Sequence, residues 1–269
     1  MKIFYQWIPW AYSHKVWLEV WKFYGIKEKD IVWKFSFKDM FDAIIKENWI
    51  WIVPIENSYA WSVHENFYHI SSYDVKIIWE YYLPVKHCLL WITKDKKKIK
   101  KAYSHYQALM QCENYLLKNN IDHIIFQDTA SSAKYIKEKN DESLGSIASS
   151  FAAKIYGLNI LEENINDQLD NTTRFLIVVP KDLKIKNYTN KWKMSIMFKL
   201  KDMPAVLYKC LGAFATRNIN LTKIESLPAK DGQFNYMFWL DIDYANKDVE
   251  DAINELDFFA KEIRILWKY

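Results

Sequence analysis

Four polar runs in this chain of 269 residues carry side chains able to bind and transform a small molecule. Glu56-Asn57-Ser58 closes an apolar, strand-like stretch over 50–55 that contains Pro54. That places it at the carboxyl edge of a sheet, where open α/β folds bind ligands. Ser62-Val63-His64-Glu65 has capping-box spacing, so Ser62 is expected to start a helix. The free N–H groups and positive dipole end of that helix suit an anion. Ser104 ends a short strand, and Gln107 and Gln111, four residues apart, share a helix face beside it. Asn171-Thr172-Thr173-Arg174 leads into a β-branched strand and sets hydroxyls beside a guanidinium able to grip a carboxylate with two hydrogen bonds. Singly these are ordinary cap and turn residues. Together they describe a cleft for a polar, multiply anionic small molecule that needs no cofactor.

Other chemistries lack their residues. The histidines (14, 64, 69, 87, 105 and 123) show no metal-ligand spacing, and His87-Cys88 sits in a strand where neighbours face opposite ways. No metal is expected. Nucleophile elbow, Walker A and dinucleotide fingerprints are absent.

The elements that must position these groups alternate strand and helix. Strands are expected over 3–6, 50–55, 85–93, 102–104, 124–127, 144–147 and 174–179. Helices are expected over 11–24, 37–46, 107–117, 130–139 and 149–156, the last closed by Gly157 as C-cap. This order implies βαβ units and a largely parallel sheet. The lysine-rich stretch 181–193 reads as a linker. Beyond it the order is βαββαβ, over 194–200, 205–216, 219–226, 234–241, 249–256 and 263–266, with Ala229-Lys230-Asp231-Gly232 as a turn. That is a ferredoxin-like unit. The expected domains are 1–180 and 194–269.

Composition narrows the partners. Hydrophobic residues at 51% and charged residues at 26% fit a globular protein with a real core. A net charge of +4 is too small to make a nucleic acid or an anionic membrane the main partner. No apolar run is long enough to span a bilayer. The three cysteines form no CxxC pair, and the chain begins directly in strand-like sequence, so a cytoplasmic protein with reduced thiols is expected. One pair of counts is unusual: 5 glycines against 13 tryptophans. Together they approach the share of about 7% that glycine alone normally holds.

At this point the runs become recognisable. Pro54-Ile55-Glu56-Asn57-Ser58-Tyr59-Ala60-Trp61-Ser62-Val63 resembles the prephenate dehydratase signature PIENSxxGSV, with Trp61 at the glycine. Tyr5 to Ser13 is similar to that family's opening QGxxGAYS, with Trp7 and Trp10 at the glycines. Ser104-His105-Tyr106-Gln107-Ala108-Leu109-Met110-Gln111-Cys112 is similar to SHPQALxQC, and Asn171 to Phe175 to NxTRF. The second unit resembles an ACT regulatory module through Ile219-Asn220-Leu221-Thr222-Lys223-Ile224-Glu225-Ser226.

The resemblance implies a catalytic domain of two α/β lobes, like type 2 periplasmic binding proteins, followed by a ferredoxin-like ACT domain. It implies decarboxylating dehydration of prephenate to phenylpyruvate in phenylalanine synthesis. Carried over by motif, Thr173 contacts the leaving hydroxyl, Asn57, Ser58, Ser104, Gln107 and Gln111 orient the substrate, and Arg174 holds a carboxylate. The ACT module implies L-phenylalanine as effector, bound between subunits of a homodimer or homotetramer. The effector positions are Ala205, Val206 and Leu207, where the family has GAL, with Asn220, Glu225 and Ser226. Leu227 stands where the family's ESRP segment has arginine. Arogenate dehydratase and a non-catalytic aromatic or amino-acid sensor are the alternatives on the same fold. The tryptophan count fits a gene in which UGA means glycine, translated with a table that reads UGA as tryptophan. Positions 7, 10, 51, 61 and 91 are then glycine, and Trp239 is a true tryptophan.

Overall fold

The computed structural model describes residues 3–6, 12–24, 31–34, 38, 41–43, 49–93, 95, 98–185, 192–229, 235–245 and 248–269, with backbone alone at 3–6, 21–24, 31–34 and 61. Trp7, Trp10, most of the helix expected over 37–46 and the turn at 230–232 lie outside these residues.

Two compact units divide the chain, Met1–His69 with Tyr81–Leu176 and Ile70–Glu80 with Ile177–Tyr269. The first part of the chain builds two sheets. Its elements begin with β1 (Ile3–Gln6), α1 (Tyr12–Tyr24), β2 (Ile31–Lys34), β3 (Ile50–Asn57), β4 (Trp61–Ser62), α2 (His64–Ser72) and β5 (Val75–Pro84). They continue with β6 (Cys88–Trp91), β7 (Lys101–Ser104), α3 (Tyr106–Met110), α4 (Glu113–Lys118), β8 (Asp122–Ile125), α5 (Thr129–Lys139), β9 (Leu144–Ala148), α6 (Ser150–Tyr156), β10 (Asn159–Glu163) and β11 (Thr172–Pro180). One sheet runs β2-β1-β3-β11-β5 with β4 paired on β3, and the other runs β10-β6-β9-β7-β8.

β1 pairs in parallel with both β2 and β3, and β7 with both β8 and β9, as strand–helix alternation requires. The sheets are nevertheless mixed, because β6 lies antiparallel to β9 and β10. β3 is buried on both faces from Ile50 to Val53, which is why its sequence is continuously apolar instead of alternating. α1 buries Val16, Trp17 and Val20 on one stripe.

Four differences from the sequence reading have local causes. The helix expected over 107–117 is two helices. Asp167 donates its N–H to the Gln111 carbonyl at 2.8 Å and accepts the Asn114 N–H at 3.2 Å, so a distant segment caps the break. Ser62 lies in β4 opposite Glu56, and the helix starts at His64, two residues later. The Glu65 carboxylate meets His69 at 3.3 Å. β5, ten residues long, and β10 were not foreseen. β5 buries Val75, Ile77 and Leu83 on one face, with Ile78 the one buried residue on the other. The α6 start at Ser149 and its stop at left-handed Gly157 are as expected.

The second unit holds β12 (Lys193–Leu200), α7 (Val206–Ala215), β13 (Leu221–Pro228), β14 (Tyr236–Asp243), α8 (Val249–Asp257) and β15 (Ala260–Lys268). Its antiparallel sheet runs β13-β14-β12-β15, the ferredoxin-like order. One sheet face and both helices share a core of Ile196, Phe198, Phe214, Leu240, Val249 and Leu256. The unit also takes in the end of α2 and the start of β5, which the boundary expected from sequence left with the catalytic domain. Lys193 meets Glu80 at 2.7 Å, and the Arg264 guanidinium donates to the Ser71 and Tyr73 carbonyls.

The tryptophans differ in how their polar atom is treated. Trp239 is buried and its Nε1–H donates to Asp241 Oδ1 at 2.7 Å. Trp51 and Trp91 are fully buried, and among the described residues neither indole N–H has a partner. The Trp51 ring centroid lies 3.4 Å from that of Phe41. Aromatic pairs ordinarily keep about 4.5–7 Å.

Candidate active site

A cavity of about 180 Å³ opens where the carboxyl ends of β3 and β7 and the start of β11 meet the starts of α1, α2, α3 and α5. Its wall includes Tyr12, Asn57, His87, Gln107, Gln111 and Thr173. The starts of α1 and α2 bring positive dipole ends to this space.

Asn57 anchors the polar wall. β3 carries it beyond the last buried residues, and its Oδ1 accepts the backbone N–H groups of Tyr59 at 3.0 Å and Ala60 at 2.9 Å. Backbone N–H can only donate, so the carboxamide has one orientation. Its Nδ2 faces Asn171 Oδ1 at 2.7 Å, Thr173 Oγ1 at 2.9 Å and the Thr172 carbonyl at 3.2 Å. Thr173 Oγ1 therefore accepts on that side, and its own proton remains available to donate.

Two carboxylates lie in the wall, and both are already engaged. Glu56 meets the Arg174 guanidinium at 2.9 Å. Asp128 caps α5, accepting the Ala130 N–H at 2.9 Å and the Ser131 N–H at 2.7 Å. Burial lowers the pKa of His105 and brings that of His87 down to about 4, so both imidazoles are neutral at pH 7. Burial pushes the Tyr12 hydroxyl well above its usual range.

Of the residues expected to contact substrate, Asn57, Gln107, Gln111 and Thr173 line the cavity together. Ser58, Ser104 and Arg174 are placed elsewhere. Ser58 clamps β3 to β11, its N–H on the Thr172 carbonyl at 2.9 Å and its Oγ accepting the Thr172 N–H at 3.0 Å. Ser104 is fully buried, with its hydroxyl on the Ile147 carbonyl at 2.6 Å. Arg174 is 4% exposed, and its guanidinium, expected to hold a substrate carboxylate, meets Glu56 at 2.9 Å. Sequence reasoning gave no site role to His87 or Tyr12, and named Asn171 only as part of its polar run. His87 had been weighed only as a metal ligand, and among the described residues no cluster suited to a metal occurs. Its signal exists only in space, since Gln111 lies 24 positions away in the chain.

In the second unit Ala205 is left-handed, with φ 58°, at the start of α7. Val206 and Leu207 pack partly on the core. Asn220 is exposed and precedes β13, and its carbonyl accepts the Asp243 N–H at 2.9 Å. Glu225 meets Lys223 at 3.0 Å, Ser226 is exposed, and Leu227 is fully buried.

Residues 3–182 match the sequence model of the family described as prephenate dehydratase. A prephenate dehydratase of Methanocaldococcus jannaschii is 41% identical over 236 residues, covering 87% of this chain and 85% of the relative. An arogenate dehydratase/prephenate dehydratase of Arabidopsis thaliana is 40% identical, covering 86% of this chain, which spans only 64% of the plant protein. The fold matches the crystal structure of an Arthrobacter aurescens prephenate dehydratase in complex with L-Phe at a TM-score of 0.87 and 24% identity, over 100% of this chain and 90% of that one.

Proposed function

Because the chain belongs to the prephenate dehydratase family, we propose that it converts prephenate to phenylpyruvate, a step of aromatic amino-acid biosynthesis. The observation that carries the reading is the Asn57 Nδ2 to Thr173 Oγ1 hydrogen bond at 2.9 Å, which leaves the threonine proton free to be donated at the cavity wall.

The chemistry asks little of the protein. As the ring carboxylate leaves as CO₂, its C–C bonding electrons enter the ring, and the ring hydroxyl departs with a proton from Thr173. Solvent restores that proton, so one proton is consumed overall. Aromatisation drives the reaction. A threonine hydroxyl is a weak acid in water, so its contribution rests on fixed position in a shielded site. The carboxamides of Gln107 and Gln111 supply neutral donors to the dianion. The wall carboxylates do not repel it fully, because Arg174 and the α5 N–H groups hold them.

The second unit is read as an ACT domain that binds L-phenylalanine and joins subunits into a homodimer or homotetramer, and the protein is placed in the cytoplasm. The left-handed Ala205 and the buried Leu227 point to phenylalanine inhibition that is weakened but retained.

The test follows phenylpyruvate spectrophotometrically without added metal or nucleotide, with arogenate run in parallel. Turnover of prephenate, and loss of about 10²–10⁴ in kcat for Thr173→Ala, is expected. No turnover, or full activity of that variant, refutes the assignment. A higher kcat/KM on arogenate moves it to arogenate dehydratase.

A further inference from the structure

The hydrogen bonds behind Gln111 can be assigned in one direction only. Asn57 is fixed by two backbone N–H groups, so its Nδ2 donates and Asn171 Oδ1 accepts at 2.7 Å. The other end of the Asn171 carboxamide is therefore its Nδ2, which donates to Gln111 Oε1 at 2.8 Å. His87 Nε2 lies 3.0 Å from the same oxygen, so it must carry a proton. His87 is 2% exposed and burial keeps it neutral, which leaves Nδ1 as an acceptor. The Tyr12 hydroxyl meets that nitrogen at 3.0 Å, with the Lys86 carbonyl also at 3.0 Å. Facing two acceptors, Tyr12 donates.

The consequence falls on Gln111. Its oxygen receives two donors, so turning the amide over would set Nε2 against the N–H groups of both His87 and Asn171. The carboxamide is locked with Nε2 presented to the cavity.

We propose that His87, held in its Nε2-protonated tautomer by Tyr12, is a positioning residue that fixes Gln111 with its amide donors toward the substrate. The proposal rests on the reaction assigned above and names a residue pair that reaction does not itself require. The imidazole touches the Tyr12 hydroxyl on α1, and the titratable groups that act on that hydroxyl are the thiols of Cys88 on β6 and Cys112 at the α3–α4 break. Burial holds both thiols up as well, so none carries charge near neutral pH.

A glutamine side chain can place an N–H where histidine has Nε2, whereas asparagine reaches only the Nδ1 position. His87→Phe and His87→Asn are therefore expected to lower kcat/KM roughly 10- to 100-fold, the effect of losing one buried hydrogen bond. His87→Gln should stay within about 5-fold of the parent on the same scale. In a double-mutant cycle, His87→Phe should cost little more once Gln111→Ala is present, since both changes remove one function. Imidazole ¹⁵N spectra need no substrate and should show the neutral Nε2–H tautomer from about pH 5.5 to 8, as burial dictates. A His87→Gln variant as slow as His87→Phe, multiplying losses in the cycle, or an Nδ1–H tautomer or imidazolium at neutral pH each overturns the proposal. Failure of the parent to act on prephenate would refute the assigned reaction separately, and the tautomer would still decide the positioning.

Discussion

Restoring glycine at Trp51 and Trp91, with Trp239→Gly as the opposing control, separates tryptophans the fold accepts from those it does not. At Trp51 the orphan indole N–H costs about 1–3 kcal/mol and the crowded ring about 1–3 kcal/mol more. Glycine inside a strand gives back only about 0.5–1 kcal/mol of that advantage. Burying an indole of 150–250 Å² is worth roughly 4–6 kcal/mol, provided the site has room for it. A centroid separation of 3.4 Å from Phe41 says that it does not. Trp239 keeps its full transfer energy and its bond to Asp241 Oδ1. Its removal should cost about 3–5 kcal/mol. Urea denaturation is the assay. Trp51→Gly is expected to hold or raise the midpoint, Trp91→Gly, relieved only of its orphan N–H, to lower it less than Trp239→Gly, and Trp239→Gly to lower it sharply. The version with glycine at 7, 10, 51, 61 and 91 should be the soluble, active form, and it is the form on which the assays above are run. The gene gives an independent check: UGA is expected at those five positions and UGG at 239. UGG at 51 or 91, tryptophan found there by mass spectrometry of the native enzyme, or equal losses from all three variants would refute the reasoning.

Three further outcomes follow from the geometry. His87 titrates at about 4 in the folded protein against about 6.5 unfolded, so between those values the unfolded chain binds the proton first. Stability should fall as pH drops through that window by roughly 3 kcal/mol, with His14 adding in the same direction. A urea midpoint unchanged between pH 7 and pH 4.5 would contradict this. Ala205→Gly relieves a left-handed alanine at φ 58° and should raise stability by roughly 0.5–1 kcal/mol, read from the thermal midpoint. Glu56→Ala removes the carboxylate that meets the buried Arg174 guanidinium and should cost about 3 kcal/mol in urea melts, whereas Glu56→Gln, which retains an acceptor, should cost less.

The sequence by itself determined whatever depends on neighbours along the chain. Strand–helix alternation, the βαββαβ order after residue 193 and the Ser149-to-Gly157 helix are local patterns of apolar spacing and cap chemistry, and a short window contains them whole. The four polar runs were legible for the same reason. Only tertiary structure decided how their members divide the work. Arg174 reads from sequence as a substrate cation, and only the fold sets it against Glu56, 118 positions away. The helix over 107–117 breaks because Asp167 caps it from a distant segment, against its own propensity. His87 had no signal at all, because its role consists of two hydrogen bonds to Tyr12 and Gln111, 75 and 24 positions away. Such bonds form only when burial removes water as a competitor, and burial is set by the closed fold.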